Sequence, residues 1–512
     1  MKAGPADRRR WLANVGSGYA DGLVGGVIYL ALTPVVIAHL GAEAYAAWLL
    51  GHAITFYLGF LDLGFGAAQV RLQARLEARG QRPVVERLVG TTAVALTIAG
   101  ALAAIAALVV ALSPASDVLD VEPAVAADFR VLVALLAVNL LVSIPGSALE
   151  NVYQGVERFD VLNLRSIAVK VLTGAAQLAL VLRGHGIVAL AAVAVLASCA
   201  TLLADLAILR RLCPGLLETP VRFHRDIWRR IRHFVTWSGA DDLLAEGTVN
   251  LDEILIAALL PLSLLTPYAL CVTIAGALLI VIQPIVTTLF PMAASLHAAR
   301  ERERLQRLFM LGTKGLLAIA LPVALFLGPC GAAMISWWVP GAASGVTPDL
   351  MMVVVTDTLV SVYVATSSAL LLALNRVRAV VALRVTEVAL QVLLILLLAP
   401  TMGLLGIALA VLLANVAVGL LLELPLTCRL LGLTLASFAR GTLARLVPAA
   451  APAAVLAWWA GDGAASPTGL ALTAIAVGAT CLAGLWLFGT TAPERSEIAA
   501  VGRSLQRGAA AA

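Results

Sequence analysis

Residues 88–112 read LVGTTAVALTIAGALAAIAALVVAL, twenty-five positions without a charge. An α-helix needs about 20 apolar residues, at about 1.5 Å each, to cross the hydrocarbon core of a bilayer. This stretch is long enough. A barrel strand is excluded, because its two faces alternate in polarity, whereas a helix satisfies its own backbone hydrogen bonds in lipid. Working outward, runs of the same kind lie near 15–38, 44–66, 129–150, 164–182, 186–209, 234–259, 265–292, 309–338, 350–374, 380–399, 403–425, 446–461 and 468–489. Together they predict an all-α polytopic membrane protein with about 14 transmembrane helices. The run at 446–461 is the weakest, being short and holding Pro448 and Pro452.

Composition agrees. Of 512 residues, 61% are hydrophobic and 13% charged, against about 25% charged in an ordinary soluble domain. The longest hydrophilic interval, 210–233, is too short to be a soluble domain. The N-terminal apolar run follows Arg8, Arg9 and Arg10 and exceeds the ~7–15 residues of a signal-peptide core, so it reads as an uncleaved first span. The six cysteines show no CxxC spacing and read as small apolar side chains rather than disulfide partners or metal ligands.

Basic residues set the orientation. With the N-terminus inside, one set of loops carries Arg71 to Arg87, Arg158, Arg165, Arg210, Arg211, Arg222 to Arg232, Arg300 to Arg307, Arg376, Arg378, Arg429 to Arg445 and the tail arginines. The opposite loops hold Arg130 and Arg183 and are otherwise acidic or neutral, with Glu43, Asp117, Asp120, Glu122, Asp128, Asp349 and Asp462. That alternation is the positive-inside rule. It places both termini in the cytoplasm. The net charge of +5 therefore reports topology and implies no nucleic-acid partner.

The chain also repeats itself at an offset near 220. Ala20-Asp21 recurs as Ala240-Asp241, Arg87-Leu88 as Arg307-Leu308, Leu164-Arg165 as Leu383-Arg384, and Gly186-Ile187 as Gly406-Ile407. Six spans per half suggest two pseudo-symmetric six-helix lobes of like orientation, as in transporters with parallel repeats. The expected organisation is an N-lobe at 1–220, a C-lobe at 221–440 that opens with a linker helix, and helices 13 and 14 with a cytoplasmic tail at 441–512. In the linker, Phe223, Ile227, Ile231 and Phe234 share one helical face and arginines the other. Such a helix is expected to lie on the anionic inner leaflet.

Charges inside spans face an interior or water, since each costs about 2.5–3.5 kcal/mol at the bilayer centre. Span 7 is the outlier, with Asp241, Asp242, Glu246, Asp252 and Glu253. At about 100° per residue, Asp242, Glu246 and Glu253 fall within roughly 40° of one another, with Asp241 and Asp252 beside them. A polar-lined transport cavity is expected along that face, joined by Asp21, the repeat partner of Asp241. These carboxylates suit hydrogen bonds from sugar hydroxyls, or a driving proton or Na⁺, or pairing with cations on neighbouring helices. Cations within reach of the membrane are Arg71, Lys170, Lys314 and Arg384; each could neutralise a lipid pyrophosphate. Snorkelling is the plainer role for Arg71 and Lys314, and pairing with Glu387 for Arg384. No GxxxxGK[ST], HExxH or GxSxG motif occurs, and no large loop carries acid/base residues. The expectation is a secondary transporter and no enzyme, with no catalytic residue, metal or cofactor.

Several stretches resemble the polysaccharide-transporter and oligosaccharide-flippase branch of the multidrug/oligosaccharidyl-lipid/polysaccharide exporter superfamily. They are Gly59-Phe60-Leu61-Asp62-Leu63-Gly64-Phe65-Gly66-Ala67-Ala68 running on through Arg71; Asn250-Leu251-Asp252 followed by Tyr268; Pro291-Met292-Ala293-Ala294-Ser295-Leu296; and Ala373-Leu374-Asn375-Arg376 before Gly403 to Ala410. The resemblance implies a flippase of the bacterial inner membrane, worked by alternating access. Its cargo would be a polyprenyl-pyrophosphate-linked oligosaccharide, such as an O-antigen unit for lipopolysaccharide or an exopolysaccharide repeat. The implied partners are that lipid-linked substrate, membrane lipids, and polysaccharide polymerase and assembly proteins. Fourteen spans fit flippases better than the twelve usual in drug antiporters. An acid-rich span 7 with few deep arginines departs from what a pyrophosphate carrier would show. Two other classes remain: a cation-coupled drug or metabolite antiporter, and a non-transporting membrane subunit of a polysaccharide synthase.

Overall fold

The computed structural model describes residues 5–59, 64–77, 79–113, 121–215, 221–232, 235, 251–341, 344–461 and 466–490. Among them, eleven helical stretches are long and apolar enough to cross a membrane. One of these, Val377–Leu431, holds two of the expected spans. They are divided at Gly403, whose φ of 57° and ψ of −134° break the helix. Most of span 7 lies outside the described residues. Of the run at 44–66, the part to Gly59 belongs to a helix, Ala42–Gly59, and residues 60–63 lie outside the described residues.

Contacts divide the chain into two units, Met1–Ala269 with Val339–Ala342, and Leu270–Trp338 with Ala343–Ala512. The first contains α1 (Pro5–Leu40), α2 (Ala42–Gly59), α3 (Phe65–Glu77), α4 (Arg82–Leu112), α5 (Pro123–Gly155), α6 (Phe159–Leu182), α7 (Ile187–Leu212), α8 (225–232) and α9 (Leu251–Leu259). Helix α10 (Leu265–Ala298) begins in the first unit and continues into the second. The second unit holds α11 (Arg302–Trp338), α12 (Pro348–Ala373), α13 (Val377–Asn415), a π-helical turn at Val416–Glu423, α14 (Leu424–Leu431), α15 (Leu435–Gly461) and α16 (Pro467–Gly484).

In the first unit α4 and α5 form the densest pairing, at small residues: Gly100 meets Pro145, the Leu140 carbonyl and Ile144. Close approach at glycine is the usual basis of helix association in lipid. Helix α3 alternates faces as its sequence dictates. Gln69, Gln73 and Leu76, at i, i+4 and i+7, are buried, while Arg71 and Arg75 are exposed. The Gln69 amide donates to the Ala148 carbonyl at 2.8 Å, and its oxygen accepts from the Thr92 hydroxyl at 2.8 Å. Both side-chain functions are thereby satisfied away from water.

By its contacts the linker at 221–232 belongs to the first unit. Ile227 and Ile231 are buried, Trp228 stacks on Phe65 with ring centroids 5.8 Å apart, and the His224 amide donates to Thr91. The apolar face of α8 is therefore covered by protein and not by a leaflet. Its outward face is Arg225, Arg229, Arg230 and Arg232. Phe223 precedes the helix and is exposed, and Phe234 lies outside the described residues.

In the second unit Phe309 of α11 stacks on Phe438 of α15 with centroids 4.3 Å apart, and the Tyr363 hydroxyl meets that of Thr442 at 3.2 Å. Helices α15 and α16 thus share one core with α11 and α12. Trp458 and Trp459 are exposed at the end of α15, as interfacial tryptophans are. At Gly403 the backbone occupies a region open to glycine alone, and a side chain there costs about 1–3 kcal/mol. Gly403→Ala should lower the melting temperature of the detergent-solubilised protein by several degrees. An unchanged melting curve would show that the break is not set by this residue.

Candidate functional site: polar seams within each unit

Helices α1 and α6 meet along a line of polar side chains spaced to share one face of each helix. Asn14 donates to the Glu157 carbonyl at 3.1 Å and accepts from the Asp160 amide at 3.0 Å. One turn on, Asn163 donates to the Ser17 hydroxyl at 3.0 Å. Beyond it, Lys170 Nζ donates to both carboxylate oxygens of Asp21 at 2.8 Å. Gly25 leaves room for the lysine stem, with its missing Cβ 3.5 Å from Nζ. Gly174 then lets Ile28 close the seam, since a Cβ there would sit 2.6 Å from Ile28 Cγ2. The two ions keep 39% (Lys170) and 21% (Asp21) of their side-chain surface. Two of the residues proposed from sequence for opposite roles, an acid for sugar or ion and a cation for pyrophosphate, are thus each other's partner on an open face.

The described remnant of span 7 lies elsewhere in the same unit. Asp252 accepts a hydrogen bond from the Tyr268 hydroxyl and one from the Glu253 amide at 3.0 Å. Tyr57 is within electrostatic reach of Asp252 and Glu253, and Tyr45 of Glu253. Tyr45 and Tyr29 place their hydroxyls 3.3 Å apart. The Thr266 hydroxyl donates to the Ala42 carbonyl at 2.6 Å, which pins the start of α10 to α2. Tyrosines from α2 and α10 lie beside these carboxylates, and no arginine pairs with them among the described residues. Asp241, Asp242 and Glu246 lie outside those residues.

A third cluster is buried at its centre. Arg165 of α6 bridges Glu150 of α5 at 2.8 Å and Asp205 of α7 at 3.1 Å. Its side chain is 9% exposed and that of Asp205 is 1% exposed. Tyr153, fully buried, lies beside them. The sequence reads Arg165 as a loop arginine; a carboxylate in span 6, at Asp205, is the signal that could have placed it inside.

In the second unit a cavity of about 400 Å³ opens among α10, α12, α13 and the π turn. Its polar lining includes Gln283, Ser361, Ser368, Arg384, Glu387 and Glu423. Arg384 donates to Glu387 at 2.9 Å, the i, i+3 pairing expected from sequence. Glu423 ends the π turn and accepts from the Ser368 hydroxyl at 2.6 Å. At the other end of the turn, Asn415 donates to Asp357 at 2.9 Å and to Ser361 at 2.8 Å. Turns with i→i+5 bonding are rare and concentrate at functional sites. Of the other two candidate cations, Lys314 is buried on α11 and Arg71 is exposed on α3. No cluster of three or more metal-ligating side chains occurs among the described residues.

The family model described as polysaccharide biosynthesis protein matches residues 12–297. No curated protein matches the chain. Among solved structures, an inward-facing multidrug resistance MATE family transporter of the MOP superfamily is similar at TM-score 0.61 and 17% identity, covering 80% of this chain and 94% of that one. An outward-facing MATE family transporter of the same superfamily is similar at TM-score 0.56 and 13% identity, over 82% of this chain and 97% of that one. A mutant of the Vibrio cholerae MATE transporter VcmN is similar at TM-score 0.58 and 15% identity, over 80% and 95%. The family match over more than half of its length places this chain in the polysaccharide biosynthesis protein family, and its helical fold is that of MOP-superfamily transporters.

Proposed function

We propose that this chain is a flippase that carries a polyprenyl-pyrophosphate-linked oligosaccharide across the bacterial inner membrane by alternating access, coupled to a proton or Na⁺, with both termini in the cytoplasm. The product would be an O-antigen or exopolysaccharide repeat unit handed on to polymerase and assembly proteins. The observation that carries the proposal is the half-open Asp21–Lys170 pair between two membrane-length helices. An ion pair between helices of membrane length is costly unless a polar path passes it. The lysine offers a point charge to a phosphate; Asp252 and Glu253 offer acceptors to sugar hydroxyls, and the neighbouring tyrosines offer apolar ring faces. The test is translocation of a fluorescent polyprenyl-pyrophosphate glycan in proteoliposomes. Flipping is expected, and Tyr268→Phe, which removes one hydrogen bond to Asp252, should weaken apparent glycan affinity by about five-fold.

A cation-coupled antiporter is the second reading, favoured by the solved structures just named and by the aromatic surroundings of Asp252. It predicts ion-driven export of an organic cation with no glycan flipping. That outcome would replace the first reading.

A further inference from the structure

The arginine at the centre of the Arg165 cluster in the first unit has a repeat partner in the second, in altered surroundings. Arg165 recurs 219 positions later as Arg384; where Glu150 and Asp205 of the flanking spans meet Arg165, the cavity of the second unit brings Ser368 and Glu423 together with Arg384. In the first unit the arginine reaches the acid of the next span, Asp205, at 3.1 Å. In the second, Arg384 turns instead to Glu387 in its own helix at 2.9 Å. The position equivalent to Glu387 in the first unit is Ala168, so no competing carboxylate exists there. Glu423 is left with a serine hydroxyl as its partner and forms no ion pair among the described residues, although it is 8% exposed and within electrostatic reach of Arg384.

We propose that Glu423 is a proton-binding site of the second unit, and that Arg384 moves between Glu387 and Glu423 as the proton binds and leaves. A buried carboxylate without a cation is expensive when ionised and inexpensive as the acid. Protonated, Glu423 keeps its bond from Ser368 and leaves Arg384 to Glu387. Ionised, it draws the guanidinium, and Glu387 turns to water in the cavity, where Arg384 and Glu387 keep 33% and 18% of their side-chain surface. The first unit shows the second arrangement already made, between Arg165 and Asp205. The π turn supplies the give, since Glu423 is its last residue.

The other ionisable groups near Glu423 are accounted for. Helix α13 presents Arg384 and Glu387 to the cavity. On α12, Asp357 is held by Asn415 and Tyr363 by Thr442. Helix α14 contributes Cys428, buried one turn on, and Arg429. The described lining residues of α10 are not titratable, and Lys314 is buried on α11.

The test is infrared difference spectroscopy of the full-length protein in lipid nanodiscs, stepping pH and following the protonated carboxyl C=O stretch. A band that fades as pH rises is expected in the wild type and is absent in Glu423→Gln. In Glu387→Gln the competitor for Arg384 is gone, so the band should fade at a pH lower by about one unit, a tenfold loss of proton affinity. In Arg384→Gln it should persist about one unit higher. A spectrum of Glu423→Gln identical to wild type overturns the proposal. So do Glu387→Gln and Arg384→Gln bands that both keep the wild-type midpoint. Because no substrate is present, failure here leaves the flippase reading intact, and failure of glycan translocation leaves the proton site intact.

Discussion

Asp205→Ala should be the most destabilising single substitution in the first unit, costing about 3–5 kcal/mol. Asp205 and Arg165 are both nearly inaccessible, with 1% and 9% of their side chains exposed. Truncating one leaves the other as an uncompensated charge between α5, α6 and α7. Glu150, 38% exposed, can shield Arg165 only in part. The expected result is a large drop in folded yield and in the melting temperature of the detergent-solubilised protein. Replacing both partners by apolar residues, Arg165→Met with Asp205→Leu, should recover most of the loss, because the desolvation cost of the pair goes with it. If the double variant is as unstable as the two single effects added, the pair is not acting as a unit. The same experiment on Arg384 and Glu387 should give a much smaller effect, since that pair faces a cavity.

Lys170→Met should abolish most translocation while leaving folding nearly intact. The Asp21–Lys170 pair is only partly covered, with 21% and 39% of the side-chain surfaces exposed, so loss of the ammonium leaves no fully buried carboxylate. Transport is another matter. Without the ammonium the seam between α1 and α6 carries a bare carboxylate, which repels a pyrophosphate. A loss of the order of tenfold or more in glycan flipping is expected, with normal expression and elution. Lys170→Arg should retain a good part of the rate. The exchanged pair, Asp21→Lys with Lys170→Asp, separates pairing from position: restored folding with restored transport would mean that only the pair matters. Restored folding without transport would assign the cation specifically to α6. Full activity of Lys170→Met would remove this seam from the pathway.

Much of this was legible along the chain. Apolar runs of 20 residues and more, with arginines on alternate sides, suffice for a polytopic helical protein, because lipid leaves the backbone no other solution. The acids of span 7, Asp21 and the scarce lysines stood out for the same reason: each is expensive where it sits. Arg384 and Glu387 could be paired from spacing alone, since an i, i+3 contact is local. Partners across helices could not. Nothing in the residue order says that Lys170 meets Asp21, 149 positions away, or that Asp252 bonds Tyr268 and not an arginine. Asp205 and Glu423, each alone in an apolar span, carried the same signal as span 7 but lacked a neighbour in sequence to draw attention to them.

The linker shows the limit most clearly. Its amphipathic pattern is real, but periodicity reports only that Ile227 and Ile231 must leave water. It does not say whether lipid or protein receives them, and Thr91, Phe65 and the backbone beside Gly90 receive α8. Residue order alone was enough to mark where apolar helices of membrane length lie, because solvation acts residue by residue along a helix. Which charges oppose each other, and which stay open to water, was settled only when distant helices packed, because Coulomb and hydrogen-bond energies depend on separations in space.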